Sequence, residues 1–453
     1  MSETTEVVEK TQKSQGKKTV AMQTLGCRSN QYDSSAIDES LTEAGLSSVP
    51  FTEKADGYVI NTCTVTGKTD SQSRQLIRKA RRKNKDAVII VTGCYAQVSS
   101  AEISEMGEVD YVLGNSHKNK VAECIIKGRP REGVKVMVEV EPSSPLMLRR
   151  KGKLKEETNK RTRINLKVQD GCERHCSYCI IPRARGRSRS VSISEAVKEA
   201  RSFVDEGTRE MIFTGIHLGG FGLDHDPPNT ILDLLKAFEK ENFPTRFRIS
   251  SIDPDEVTTE LIEVLKNART ICNHLHLPLQ SGDDKILGLM NRLYTADEFR
   301  AIVTNAVNGV KDIAVGIDVM AGFPGEGEAE FENTYNLIAA LPLAYLHVFP
   351  FSKRAETPAA VMSEQVREPV IKARALRLRE LDAYKREAFY EQALGSEKRV
   401  LIEGARDKKT GFLKGRTRNY IPVFVDGSDN LIGEEVIAEL FELRTYGMIG
   451  RVD

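Results

Sequence analysis

Three cysteines, Cys172, Cys176 and Cys179, crowd into the stretch "DGCERHCSYCIIPRARGR", residues 170–187, which also carries Arg183, Arg185 and Arg187. Three thiols at the spacing C-x3-C-x2-C cannot all pair with one another, and no fourth cysteine or histidine stands at zinc-finger distance. A structural zinc site takes four protein ligands. Three thiolates suit a four-iron cluster that keeps one iron open to a substrate or cofactor. Zinc or a purely structural role is the alternative. A second set of thiols has a different pattern: "KKTVAMQTLGC", "DGYVINTC" and "DAVIIVTGC" are apolar runs that close on Cys27, Cys63 and Cys94. One cysteine ending a strand is usually a small buried hydrophobe. Three strands ending in the same way point to a shared metal site.

For these thiols to act together, the fold must bring the strand ends to one place. The first three runs read as buried strands, separated by the helical stretches "SSAIDESLTEAG" and "SQSRQLIRKARRKNK". Such alternation builds a parallel α/β sheet, in which the carboxyl ends of the strands share one edge. Residues 18–129 are therefore expected to form one α/β domain, after a disordered leader over 1–17 and before a charged, proline-bearing linker over 130–157. Six further strand-like runs, "RINLKVQDG", "EMIFTGIHLGG", "RFRISSID", "HLHLPLQSG", "IAVGIDVMAGFPG" and "YLHVFPFS", alternate with helices such as "SISEAVKEARSFVDEG", which opens on a serine cap. They predict a partial (β/α)6 barrel over 158–390, with Cys172 just beyond its first strand and its functional edge at the strand carboxyl ends. A long helix over about 363–394 leads to 391–453, whose short strands and turns predict a small five-stranded β-barrel.

Composition bounds the rest. The 453 residues carry 66 Lys and Arg against 65 Asp and Glu, so bulk charge says nothing about nucleic acid and only local clusters can. No run reaches the roughly 20 apolar residues of a membrane span, and the polar start lacks a signal-peptide core. A cytoplasmic protein is expected, and a cytosolic chain seldom keeps disulfides. The remaining thiols, Cys124 and Cys272, read as ordinary buried residues.

The loop "GCERHCSYC" resembles the first-strand loop of radical S-adenosylmethionine enzymes. "TLGCRSNQYDS", "DGCERHCSYCIIPRARGRSRS", "HLPLQSGDDKILGLMNRLYT", "DVMAGFPGE" and "VFPFSKRAETPA" stand in the order and spacing of the methylthiotransferase subfamily. The resemblance runs from about residue 18 to the end. "TLGCRSNQYDS" and "TGIHLGGFG" look most like the bacterial branch acting on N6-threonylcarbamoyladenosine of tRNA. It implies two [4Fe-4S] clusters, an auxiliary one on Cys27, Cys63 and Cys94 and a radical-generating one on Cys172, Cys176 and Cys179. It also implies S-adenosyl-L-methionine as cofactor and a TRAM domain as the terminal barrel. The implied reaction is hydrogen abstraction at C2 of the adenine, sulfur insertion from the auxiliary cluster, and methyl transfer from a second S-adenosylmethionine. An aromatic C–H at that position is too strong and too nonacidic for side-chain acid/base chemistry. The chain departs from the subfamily at Gly327, Ala355 and Glu356, away from every cysteine ligand.

Further contacts are expected on the same basis. Tyr178, between two ligands, would shield cluster and cofactor, or simply pack. Thr214 and Gly215 in "TGIH" and Ser250 in "RISSIDP" end strands where the cofactor's adenosine and ribose would lie, and Gly322 and Gly325 in "GFPGE" would let the backbone approach a bound nucleoside closely or simply form a βα turn. His217 is a candidate proton relay, and His276 and Gln280 are expected to alternate toward the barrel interior. RNA contacts are assigned to Arg183, Arg185 and Arg187, with carboxylate pairing within the barrel or a solvated face as the alternatives, and, in the tail "TGFLKGRTRNY", to Lys414, Arg416 and Arg418, where basic and aromatic residues interleave. Partners would be tRNA, an electron donor and a sulfur source, with the chain acting as a monomer. Rival readings are methylthiolation of isopentenyladenosine in tRNA, of a ribosomal-protein aspartate, or a noncatalytic iron-sulfur or zinc protein that binds RNA.

Overall fold

The structure, a computed structural model, describes residues 17–139, 146 and 162–452. The expected leader, apart from its last residue, and most of the expected linker lie outside the described residues. The chain divides into two compact units, Met1–Arg149 with Arg183–Arg185, and Arg150–Pro182 with Gly186–Asp453.

In the first unit, β1 (Thr19–Thr24), β2 (Ser47–Val49), β3 (Gly57–Thr62), β4 (Val88–Gly93), β5 (Tyr111–Leu113) and β6 (Lys135–Met137) form one parallel sheet in the order β2-β1-β3-β4-β5-β6. Every residue of β3 and β4 is buried. Side chains alternate between two cores: Tyr58, Ile60, Ile89 and Val91 pack on one face, and Val59, Val88 and Ile90 on the other. A sheet covered on both sides needs such continuous apolar runs, which is why these strands were legible. Helices α1 (Arg28–Glu43) and α2 (Gly67–Lys83) connect them, and Thr66 caps α2 reciprocally with Thr69. The linker expected from residue 130 begins too early, because Lys135–Met137 pairs with β5 as the sheet's last strand. Its "VKVMV" pattern is short, and its charged neighbours masked it.

In the second unit, β7 (Arg163–Lys167) leads to a two-residue strand β8 (Gln169–Asp170), which pairs antiparallel with β9 (Arg189–Ser190). The cysteine loop hangs between β8 and β9. The main strands are β7, β10 (Glu210–Thr214), β11 (Arg246–Ile249), β12 (His274–Gln280), β13 (Ala314–Ala321) and β14 (Tyr345–Pro350). These are the six expected strands, but they form two three-stranded parallel ladders, β11-β10-β7 and β12-β13-β14. A single bridge, Phe247 to Ile271, marks the junction. Helices α3 (Ile193–Asp205), α4 (Ile231–Glu241), α5 (Thr259–Asn267), α6 (Ala296–Gly309) and α7 (Glu328–Ala340) connect strands, and Ser192 caps α3 with Glu195 as the sequence predicts. Helix α8 (Glu368–Glu391) starts later than expected, with Pro369 in its first turn, where a missing N–H costs nothing.

Beyond α8, β15 (Ser396–Arg406), β16 (Leu413–Thr417), β17 (Pro422–Val425), β18 (Glu435–Arg444) and β19 (Gly447–Arg451) close into a five-stranded barrel. The core and this barrel, expected as separate domains, are one compact unit. The reason is a buried charge knot. Glu210, fully buried on β10, takes Arg246 at 2.6 Å and Arg248 at 3.0 Å. Arg246 also donates to the Arg416 carbonyl at 3.0 Å, and Arg248 to the Arg418 carbonyl at 2.8 Å. Burial would raise the Glu210 carboxyl, but the guanidiniums of Arg248 and Arg246 outweigh it and hold the group well below the usual carboxylate range.

Candidate functional site

The order β2-β1-β3-β4 places a topological switch between β1 and β3, where an open α/β sheet forms a crevice at its carboxyl edge. Cys27 stands at the amino end of α1 just after β1, Cys63 directly follows β3, and Cys94 directly follows β4. The three expected ligands therefore do line one edge. Gly26 makes the approach possible: at φ +94°, an added Cβ would lie 2.6 Å from Cys63 Sγ. Asn30 ties the edge together by donating to the carbonyls of Leu25 at 2.9 Å and Thr62 at 2.8 Å. Arg185 donates to Asn30 Oδ1 at 2.5 Å and pairs with Asp33, which also takes Lys118. Burial, with smaller contributions from Cys94 and Cys27, pushes the Cys63 thiol up to about 11. Asn30 and Asp33 stand in the quoted motif "TLGCRSNQYDS", yet the sequence reading took no role from them. Their i, i+3 spacing on one helix face was the available signal.

In the second unit, Cys172, Cys176 and Cys179 share one loop, close enough that Cys176 acts on the charge state of both Cys172 and Cys179. Burial pushes Cys172 up to about 11 and Cys179 up to about 12. Backbone and side-chain donors already face the sulfurs: the Arg174 N–H lies 3.3 Å from Cys172 Sγ, and Arg292 Nη1 lies 3.4 Å from Cys176 Sγ. Arg292 is itself fixed by Asp253 at 2.9 Å and Tyr294 at 3.2 Å. The Arg174 side chain clamps the loop to the ends of β10 and β11 through Asp255 at 2.6 Å and Glu256 at 3.0 Å, beside His217 at 3.3 Å. Gly171 has no substitute in this turn, because at φ +79° a Cβ would lie 1.9 Å from the Arg187 carbonyl oxygen.

The donor chemistry fits iron-sulfur clusters better than zinc. Among the described residues, sets of three ligand atoms all within 4.8 Å of one another occur at His276–Asp318–His347 and His217–Asp253–Glu256, and neither cysteine triad is drawn that tight. One zinc ion at about 2.3 Å from each sulfur needs its thiolates within about 4 Å of one another. Wider spacing suits thiolates on separate irons of one cluster.

The expected contact residues divide. Tyr178 packs edge-on to Phe323, centroids 6.3 Å apart, in an apolar cluster with Ile286 and Met290. The Thr214 hydroxyl donates to the Ile212 carbonyl at 2.9 Å, so it is engaged within its own strand. Gly215 lies against Gln169, with 2.8 Å between an added Cβ and Oε1. Ser250 is buried at the end of β11, its N–H on the Phe213 carbonyl. Gly322 and Gly325 both adopt positive φ in a turn that Glu326 closes by accepting the Gly322 N–H at 2.9 Å and Arg374 at 2.8 Å. The alternation expected of His276 and Gln280 does not hold, because the β12 register shifts between Leu277 and Gln280. Cys124 and Cys272 are buried, as expected. A residue the sequence reading passed over organises this edge: Gln169 accepts the N–H groups of Ile216 and His217 at 2.9 Å and donates to the Gly171 carbonyl at 2.8 Å.

The expected RNA set also divides. Arg183 and Arg187 are exposed. Arg185 is corrected: its side chain is fully buried in the ion pair with Asp33 and cannot reach a phosphate. Arg418 grips Glu435 through Nε at 3.0 Å and Nη2 at 2.7 Å and donates to the Arg269 carbonyl, so it fastens the barrel to the core. Arg416 stacks on Tyr420 beside Glu403, and Lys414 faces Asp407 at 3.5 Å. Charge runs in sequence do not reveal such local pairing.

Comparison with known proteins gives three family matches: Uncharacterized protein family UPF0004 over residues 19–114, the Radical SAM superfamily over 166–338, and the TRAM domain over 391–452. The chain is 40% identical, over 94% of its length and 94% of the relative's, to "Threonylcarbamoyladenosine tRNA methylthiotransferase MtaB" of Bacillus subtilis (strain 168). It is 30% identical, over 95% of its length and 91% of the relative's, to "tRNA-2-methylthio-N(6)-dimethylallyladenosine synthase" of Alkaliphilus oremlandii (strain OhILAs). Among solved structures, the radical S-adenosylmethionine methyltransferase TsrM from Kitasatospora setae matches with TM-score 0.57 at 15% identity, covering 76% of this chain and 74% of that one, which is a likeness of fold.

Proposed function

The chain belongs to the radical S-adenosylmethionine tRNA methylthiotransferases, and on that premise we propose that it methylthiolates C2 of N6-threonylcarbamoyladenosine in tRNA with two [4Fe-4S] clusters. The observation that carries the reading is the presence of two separate three-thiol sites, each at the carboxyl ends of parallel strands. The threonylcarbamoyl substrate is favoured over the dimethylallyl one because identity to the former branch is 40% against 30% for the latter.

Cys172, Cys176 and Cys179 would hold the cluster that supplies an electron for cleaving S-adenosylmethionine; Cys27, Cys63 and Cys94 would hold the one that supplies sulfur. The chain's own contribution is positional. Arg174 and Gln169 hold the second thiol loop against the ends of β8, β10 and β11. Tyr178 and Phe323 give it an apolar flank that excludes water. Gly322 and Gly325 shape the adjoining turn, and Thr214, Gly215 and Ser250 supply its neighbouring strand ends. The enzyme would work as a monomer in the cytoplasm, with an electron donor and a sulfur source from outside the chain. No helix among the described residues is long and apolar enough to cross a membrane.

Mass spectrometry of tRNA nucleosides from a strain lacking the gene tests the reading. 2-Methylthio-N6-threonylcarbamoyladenosine should disappear while its unthiolated precursor accumulates, and an unchanged level refutes the substrate. Anaerobic reconstitution should give about eight irons per chain, four for each three-thiol site.

A further inference from the structure

His276 on β12, Asp318 on β13 and His347 on β14 stand on three adjacent parallel strands, with Asp318 and His347 directly in register. His276 Nε2 lies 2.8 Å and His347 Nδ1 3.2 Å from the same Asp318 oxygen. All three ligand atoms lie within 4.8 Å of one another. The Tyr345 hydroxyl, 3.0 Å from His276 Nδ1 and 2.9 Å from His274 Nε2, holds the His276 ring from behind. Metal-ligating histidines characteristically have such an outer partner on the second ring nitrogen. Exposure is graded across the cluster: the side chains of His276, Asp318 and His347 are 7%, 22% and 51% exposed, so one side is walled and the other open.

The comparable cluster, His217–Asp253–Glu256, differs in a telling way: the Arg174 guanidinium sits among its members and already supplies a cation. Among the described residues, Asp318 has no lysine or arginine partner, and its contacts are the two imidazoles. We propose that His276, Asp318 and His347 form a mononuclear site for a divalent ion of the zinc class, with a coordination position open on the His347 side. Two imidazoles and a carboxylate are the donor set of open zinc sites, which keep a fourth position for an oxygen ligand. A carboxylate or hydroxyl suits that position. The threonylcarbamoyl group carries both, so the ion would select it over an uncharged isoprenoid; this last step rests on the substrate reading above, whereas ion binding does not.

The test uses the full chain, anaerobically reconstituted with its clusters, dialysed against zinc and then against metal-free buffer. Zinc and iron are counted by mass spectrometry, and the zinc K-edge spectrum reports its ligands. About one zinc per chain is expected, bound through nitrogen and oxygen at about 2.0 to 2.1 Å. His347→Ala and Asp318→Asn should each lower zinc at least tenfold with iron unchanged, and half-exposed His347 makes its variant a mild test of folding. Absent zinc, zinc retained in both variants, or sulfur scattering at about 2.3 Å overturns the proposal, the last because it places the ion on cysteines. The nucleoside assay is independent: loss of the substrate assignment leaves the zinc count standing.

Discussion

Gln169 uses both ends of its amide around the second thiol loop, accepting from the Ile216 and His217 N–H groups and donating to the Asp170 and Gly171 carbonyls and the Ser188 hydroxyl. Gln169→Leu preserves approximate volume and strands these groups in a buried place, at a cost of about 1–3 kcal/mol for each unmet group. A lowered thermal midpoint and slower reductive cleavage of S-adenosylmethionine are expected, checked by melting curves and by quantifying 5′-deoxyadenosine. The two thiol sites should separate cleanly by substitution. Cys63→Ala should keep reductive cleavage but lose the methylthio product, whereas Cys176→Ala should lose both. Each variant should retain about four irons, since each then holds one cluster of the pair. Equal loss of cleavage in the two variants would refute the division of labour.

At the scale of elements, the knot of Glu210, Arg246 and Arg248 joins β10 and β11 to the terminal barrel. Removing the carboxylate leaves two buried guanidiniums uncompensated, so Glu210→Gln should destabilise this unit by about 3–5 kcal/mol. The carboxyl's folded-state pKa is depressed, so its stabilisation is complete above its ordinary value of 4.5 and drains away as pH falls below that. Thermal midpoints of wild type should therefore fall more steeply below pH 4.5 than those of the variant; parallel curves would assign the stabilisation elsewhere. The cysteine-bearing strands of the first unit were legible because a doubly covered parallel sheet demands continuous apolar runs that end in loops at one edge. The six strands of the core were legible for a related reason, while the break between β11 and β12 was not, since register is a relation between strands. Arg185 misled because nothing near it announces Asp33, 152 positions away. The Glu210 knot escaped for the same cause: Arg246 and Arg248 read as the polar start of a strand until barrel carbonyls are placed against them.

Across the whole molecule, a net charge of +1 gives RNA no general attraction, so binding depends on where unpaired cations remain. Lys408 and Lys409 are exposed at the β15–β16 turn, whereas Arg418 is held by Glu435. Replacing both lysines by alanine should weaken tRNA binding and reduce the slope of log affinity against log salt by about 0.7 to 0.9 for each phosphate that is no longer neutralised. Arg418→Ala should instead lower the melting temperature and leave the salt slope alone. Filter binding across a salt series distinguishes the two. The same barrel fastening has a meaning in time as well as in space. Arg246 and Arg248 leave the ribosome 170 residues before the carbonyls of Arg416 and Arg418 that receive them. Throughout that interval Glu210 is already present to accept from both guanidiniums, but the barrel carbonyls that complete their hydrogen bonding are not. A message cut short before the barrel should thus yield a core whose Glu210 knot keeps its ion pairs but has lost the acceptors that fasten it to the barrel.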